Sequence, residues 1–195
     1  MSKLNQPLIM MKFGVIFFYV VALIAHVFAP DGYSILEHNF SQLGPQNYEL
    51  SWIMQIAFIG SALLWFYGLY LNRKKQVLNK SVAIMFFFIA TFIVFAGLFK
   101  TNLPVMSLPL TYNSFEKNIH LVAAHGSQIL GLLILLEHIK YSDKTMRKKH
   151  VTVLILLVVL SVIFQFGPYV GLTQRILAFT HSFWTLMYLN MYQKG

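Results

Sequence analysis

Six apolar runs, at 13–30, 51–71, 81–99, 119–138, 151–167 and 175–192, constrain this chain more than any other feature of its sequence. Their lengths are close to the roughly 17–25 residues that a helix needs to cross about 30 Å of hydrocarbon. Lipid offers no water to satisfy backbone N–H and C=O groups, so such runs must close their hydrogen bonds internally, as helices. The fifth run, VTVLILLVVLSVIF, is rich in β-branched residues that favour strands in water but are compatible with helix in lipid. Only 11% of the 195 residues are charged, against about 25% in a soluble domain. That is too little charge to cover a water-facing surface, and it excludes disordered and ordinary soluble classes. The expected fold class is all-α: a polytopic membrane protein, a six-transmembrane-helix bundle forming one membrane domain over 1–195.

The first run invites a signal-peptide reading, because Lys3 and Lys12 precede it and it ends in small residues near Ala29. It exceeds the usual apolar core of about 7–15 residues, and Pro30 is a poor first residue for a mature chain, so a retained helix is expected.

The net charge of +9 would suggest nucleic acid in a soluble protein. Here the basic residues crowd into short gaps between apolar runs, with no basic stripe interleaved with aromatics, so membrane lipids and not nucleic acid are the expected partners. The sequence names no protein partner. Lys3, Lys12, Arg73, Lys74, Lys75, Lys80, Lys140, Lys144, Arg147, Lys148, Lys149 and Lys194 fall on one side of the six runs. Lys100, Lys117 and Arg175 fall on the other, with Asp31, Glu37, Glu49 and Glu116. The positive-inside rule then places both termini in the cytoplasm. Having no cysteine, the chain can form no disulfide, thiolate metal site or Cys nucleophile.

The two long gaps, 31–50 and 100–118, both lie outside by this count, and long loops are where function concentrates. The first opens with the turn signal Pro30-Asp31-Gly32. Ile35, Leu36, Phe40 and Leu43 then recur at helical spacing beside Glu37, His38, Ser41 and Gln42, which predicts a short amphipathic helix in the interface, ended by Gly44-Pro45. On such a helix His38, Glu37 and Ser41 share a face. A hydroxyl beside an imidazole and a carboxylate is the raw material of a nucleophile and its base. A polar face turned to water explains the same residues without chemistry.

The fourth run opens with Glu116 and His120 on one helical face, above a stripe of small residues at Ala123, Ala124, Ser127 and Gly131 suited to close helix packing. His125 and Gln128 follow deeper, where an imidazole is costly in lipid and belongs inside the bundle. The sixth run carries Gln174, His181, Thr185 and Tyr188 as a polar stripe. Three readings of the histidines stay open: a His and carboxylate metal site, a haem between His125 and His181, or structural imidazoles. The sequence specifies no cofactor. No Walker loop, GxGxxG, HExxH or GxSxG occurs, so nucleotide, dinucleotide and zinc-protease chemistry lack support.

Tyr33-Ser34, Ser41-Gln42-Leu43-Gly44 and Trp52-Ile53-Met54 resemble the signature of a bacterial and archaeal membrane family, domain of unknown function 998. Gly97-Leu98-Phe99, the helix beginning near His120 and Gly171-Leu172-Thr173-Gln174-Arg175 extend the likeness over nearly the whole chain. The resemblance implies a six-helix protein of a prokaryotic inner membrane whose Ser-x-Leu-Gly, His and Gln-Arg positions meet in one site. Asn102 stands where many relatives would carry Asp, which speaks against a metal held by that loop. The expected site is an outward polar pocket for a lipid or amphiphile. In it Ser41 is nucleophile or donor, His38 or His120 the base, Glu37 or Glu116 its orienter and Arg175 an anion clamp, with Gln42, Asn102, Gln174 and His181 as further ligand contacts. The haem protein is the alternative, and a structural subunit the third reading.

Overall fold

The computed structural model describes residues 6–102, 113–166 and 169–191. Lys3, Lys194 and the centre of the 100–118 gap lie outside them. Six α-helices occur among the described residues: α1 (Gln6–Val27), α2 (Trp52–Lys75), α3 (Lys80–Leu98), α4 (Ser114–Tyr141), α5 (Lys144–Phe166) and α6 (Val170–Met191). Among the described residues, four stretches, Gln6–Val27, Glu49–Lys75, Lys80–Leu98 and Ser114–Tyr141, are long and apolar enough to cross a membrane. Their outer faces leave Leu23, Leu63, Val122 and Ile129 exposed. Such a surface suits lipid as solvent, and the chain is a membrane protein.

Helix ends follow caps, so they depart from the ends of the apolar runs. Asn113 accepts the backbone N–H groups of Phe115 and Glu116 at 3.1 and 3.3 Å, which starts α4 five residues before the apolar run at 119. Asn79 does the same for Val82 at 2.9 Å at the start of α3. The last turn of α2 holds Arg73, Lys74 and Lys75, where cations favour the negative end of the helix dipole.

Sequential helices pack as neighbours, α1 on α2, α2 on α3, α3 on α4, α4 on α5 and α5 on α6, and α6 returns to α1 to close the ring. A core of Leu8, Met11, Trp65, Phe86, Ile134, Leu135, Tyr188 and Leu189 fills its lower part. One end of the bundle, the loop end, carries residues 28–51 and is tied by Gln46 N–H to Thr101 O at 2.8 Å and Leu172 N–H to Leu36 O at 3.1 Å. The other, the basic end, joins Lys75 Nζ to Gln6 at 3.0 Å and Ser81 Oγ to Glu137 at 2.5 Å.

The segment expected to be an amphipathic helix folds instead as turns and two short 3₁₀ helices, Phe40–Leu43 and Glu49–Ser51. Side chains out-compete the helical ladder there. His38 Nδ1 accepts the Ser34 N–H at 2.8 Å, and Gln42 Oε1 accepts the Asn39 N–H at 2.8 Å. The apolar set consequently splits, with Phe40 and Leu43 buried and Ile35 and Leu36 exposed.

Candidate functional site

The loop is fastened to the bundle by one cation. Arg175, in the second turn of α6, is only 6% exposed. Its Nη1 donates to the carbonyls of Ile35, His38 and Gly171 at 2.9, 2.7 and 2.8 Å. Its Nη2 donates to the Tyr33 hydroxyl and lies 3.2 Å from His26 Nε2. His26 Nδ1 sits 2.7 Å from Ala22 O, so that nitrogen holds the proton and Nε2 is free to accept from the guanidinium. The Phe40 ring packs 4.7 Å from the guanidinium carbon, a cation–π contact. None of these partners is a carboxylate. A planar fork of five donors can be satisfied by converging carbonyls in a way that a lysine ammonium cannot.

Around Arg175 the other signature residues interlock. A Cβ at Gly171 would sit 2.6 Å from His38 N and 2.7 Å from Ile35 O, and closer still to His38 O, so only glycine lets the loop backbone lie on α6. Gln174 Oε1 accepts the Phe40 N–H at 2.9 Å, and Gln42 Nε2 donates to Asn102 O at 3.1 Å. Tyr33 in turn donates to Asn39 O at 3.2 Å. Burial pushes its phenol pKa above the ordinary value, and the charge and hydrogen bond of Arg175 pull it partly back.

Beneath this latch lies a cavity of about 260 Å³ walled by all six helices and the loop. Ser41, Thr101, His120 and Gln174 line its loop end, His125, Gln128, His181 and Ser182 lie further in, and Phe18, Phe58, Trp65, Leu157 and Leu177 supply apolar wall. The Ser41 hydroxyl has no hydrogen-bond partner among the described residues. His120 is buried, and its Nδ1 lies 2.9 Å from Ala96 O and 2.8 Å from Phe99 O at the end of α3. Two carbonyls can only accept, so Nδ1 carries the proton and the neutral ring keeps Nε2 as its acceptor. His181 Nε2 is buried without a hydrogen bond and packs against Gly131 of α4.

The expected site residues thus divide. Ser41, His120, Gln174 and His181 line the cavity, whereas His38, Gln42, Asn102 and Arg175 belong to the latch. Glu37 is exposed, Glu116 is half-exposed, and neither lines the cavity. His38 spends its one lone-pair nitrogen on the Ser34 N–H, so the neutral ring has none left to take a proton from Ser41. With Nη1 turned to the Ile35, His38 and Gly171 carbonyls and Nη2 to Tyr33 and His26, Arg175 is a fastener more than an anion clamp. No group of three His, Asp or Glu able to hold a metal occurs among the described residues. As an axial haem ligand His181 fits poorly, because its Nε2 faces Gly131 and not open space. Thr101 and Ser182 line the cavity without having stood out in sequence. Ser182 sits one residue off the polar stripe of α6, and its Oγ lies 2.8 Å from Tyr19 Oη.

Residues 13–190 match the family described as "Protein of unknown function (DUF998)". The chain belongs to DUF998. No curated protein and no solved structure matches it. In this DUF998 chain, motifs far apart in sequence, Tyr33-Ser34, Ser41-Gln42-Leu43-Gly44 and Gly171 to Arg175, meet in the latch and in the rim of the cavity under it.

Proposed function

We propose that this DUF998 protein spans a membrane six times with both termini cytoplasmic and binds a single-chain amphiphile in its cavity. The polar head lies toward Ser41 and His120, and the apolar body lies between the helices. One observation carries the reading: a largely apolar cavity within the bundle has its free hydroxyl and a buried imidazole at one end. Ligand pockets run from roughly 300 to 1,000 Å³ with mostly apolar walls and a few convergent polar groups. At about 260 Å³ this one sits near the lower limit, which favours one chain over a two-chain lipid.

Native mass spectrometry of the full chain, released from mild detergent with and without added fatty acid, tests this. A saturable adduct is expected in the wild type and a much weaker one in Ala124→Phe, which fills the cavity wall. No adduct in the wild type, or an unchanged one in the variant, sinks the proposal.

The anchored tautomer of His120 favours a second reading, acyl transfer from an ester amphiphile. Ser41 Oγ would attack the acyl carbonyl, its proton passing to His120 Nε2 and then to the departing alcohol, and water would release the acid. A serine-directed fluorophosphonate should label the wild type and not Ser41→Ala; equal labelling of both rejects the nucleophile.

A further inference from the structure

Toward the basic end, α5 and α6 leave a lateral groove of about 560 Å³ that no residue of the cavity lines. Its walls are Val153 and Leu156 of α5 and Phe179, Phe183 and Met187 of α6, and Met146 and Lys149 stand at its mouth. Phe183 is 65% exposed within it. Met146 and Leu156 are ten residues apart on α5, about 15 Å at 1.5 Å per residue. That is half of the roughly 30 Å hydrocarbon layer, the depth of one leaflet.

The mouth is strongly cationic for a local reason. Lys144, Lys148 and Lys149 are all exposed in the first turns of α5. A helix N-terminus is already the positive end of the macrodipole, so cations there repel it. Asp143 is the acid at that end, and one of its carboxylate oxygens is occupied by the N–H groups of Thr145 and Met146 at 2.8 and 2.9 Å. Arg147 is committed elsewhere, its Nε and Nη2 donating to Ile139 and Ser142 carbonyls at 3.1 and 3.3 Å. The three lysines therefore form a cationic surplus beside an apolar groove one leaflet deep.

We infer that this groove is a binding site for an anionic phospholipid, with one acyl chain laid between α5 and α6 and the phosphate held by Lys148 and Lys149. Topogenic charge would account for the lysines alone, and ordinary lipid solvation for the groove alone. Their register, with cations at the mouth and one leaflet of apolar wall behind, fits an amphiphile with a negative head.

The test is lipid retention by the full chain in detergent, read by native mass spectrometry with phosphatidylglycerol and phosphatidylcholine of identical chains. Phosphatidylglycerol should be retained preferentially. Lys148→Gln with Lys149→Gln should weaken it by about fivefold per lysine, on the order of 25-fold together. Leu156→Trp should weaken both lipids by blocking the groove, and Ala124→Phe in the separate cavity should leave both unchanged. Circular dichroism confirms that each variant is folded. Equal retention of the two lipids by the wild type, or no loss in the lysine variant, overturns the proposal. So does full retention in Leu156→Trp, which would reduce the effect to surface charge, and so does equal competition by glycerol phosphate, which would show that the head binds without the chain.

Discussion

The latch and the cavity beneath it are built from the same kinds of side chain and treat them in opposite ways. In the latch, Arg175 Nη1 and Nη2, Tyr33 and Gln42 are matched to named donors or acceptors, mostly backbone groups from elements distant in sequence, while Arg175 Nε has none. In the cavity, His181 Nε2 is buried without a hydrogen bond, and the Ser41 hydroxyl makes none among the described residues. A buried polar group without a partner costs roughly 1–3 kcal/mol. Satisfied groups hold the fold together, and a hydroxyl left free at the cavity wall is available to a ligand. Polar residues in this protein therefore divide by hydrogen bonding more cleanly than by residue type: His38 and His120 are both buried, yet only His120 faces the cavity.

That division makes ordered predictions. Arg175→Met should be the most damaging substitution, about 3–5 kcal/mol, because several buried carbonyls lose their donor at roughly 1–3 kcal/mol each, read as a large fall in thermal stability in detergent. Arg175→Lys should rescue little, since a lysine cannot reach three carbonyls and a phenol at once. Full stability of either variant would dissolve the distinction between the two regions. Gly171→Ala comes next, at about 1–3 kcal/mol, because its Cβ meets the His38 backbone and not a movable side chain. Protease access to the loop between α1 and α2 should rise with it.

On the cavity side, Ser41→Ala should shift stability by less than about 0.5 kcal/mol, and His181→Leu should be neutral or slightly stabilising, as it removes a buried nitrogen with no partner to lose. Ser41→Ala should weaken amphiphile retention, and a latch-like loss of stability in either would place it on the wrong side of the comparison. The smallest effect concerns Tyr33. Its pKa is raised in the folded chain, so its contribution is fully present below the unfolded value of 10.0 and is lost as pH climbs through the higher folded value. Melting temperatures measured up to and beyond pH 10 should fall more steeply for the wild type than for Tyr33→Phe.

The helices were legible in sequence because periodicity and length are local properties. All six apolar runs contain a helix, and the polar stripe of α6 does bring Gln174, His181 and Thr185 to one cavity. The ends were less legible. α1 begins at Gln6 and α4 at Ser114 because caps and polar first turns extend helices past their apolar stretch. The loop was misread for a physical reason: Ile35, Leu36, Phe40 and Leu43 have helical spacing, but the His38 and Gln42 side chains bind the backbone N–H groups of Ser34 and Asn39 in turns. Arg175 was legible as an unusual cation among apolar residues but not as a fastener, since its acceptors Ile35 and His38 lie 140 and 137 residues away. Carbonyl oxygens leave no mark in a sequence.

That separation also sets a clock for biosynthesis. The turn at Ile35 leaves the ribosome 140 residues ahead of the arginine that holds it. At about 5–20 residues per second the interval is roughly 7–28 s. Throughout it the Ile35 and His38 carbonyls await their guanidinium, so the cavity gains its roof only when α6 docks. A chain truncated before α6 would carry the first motif of its family in an unfastened loop.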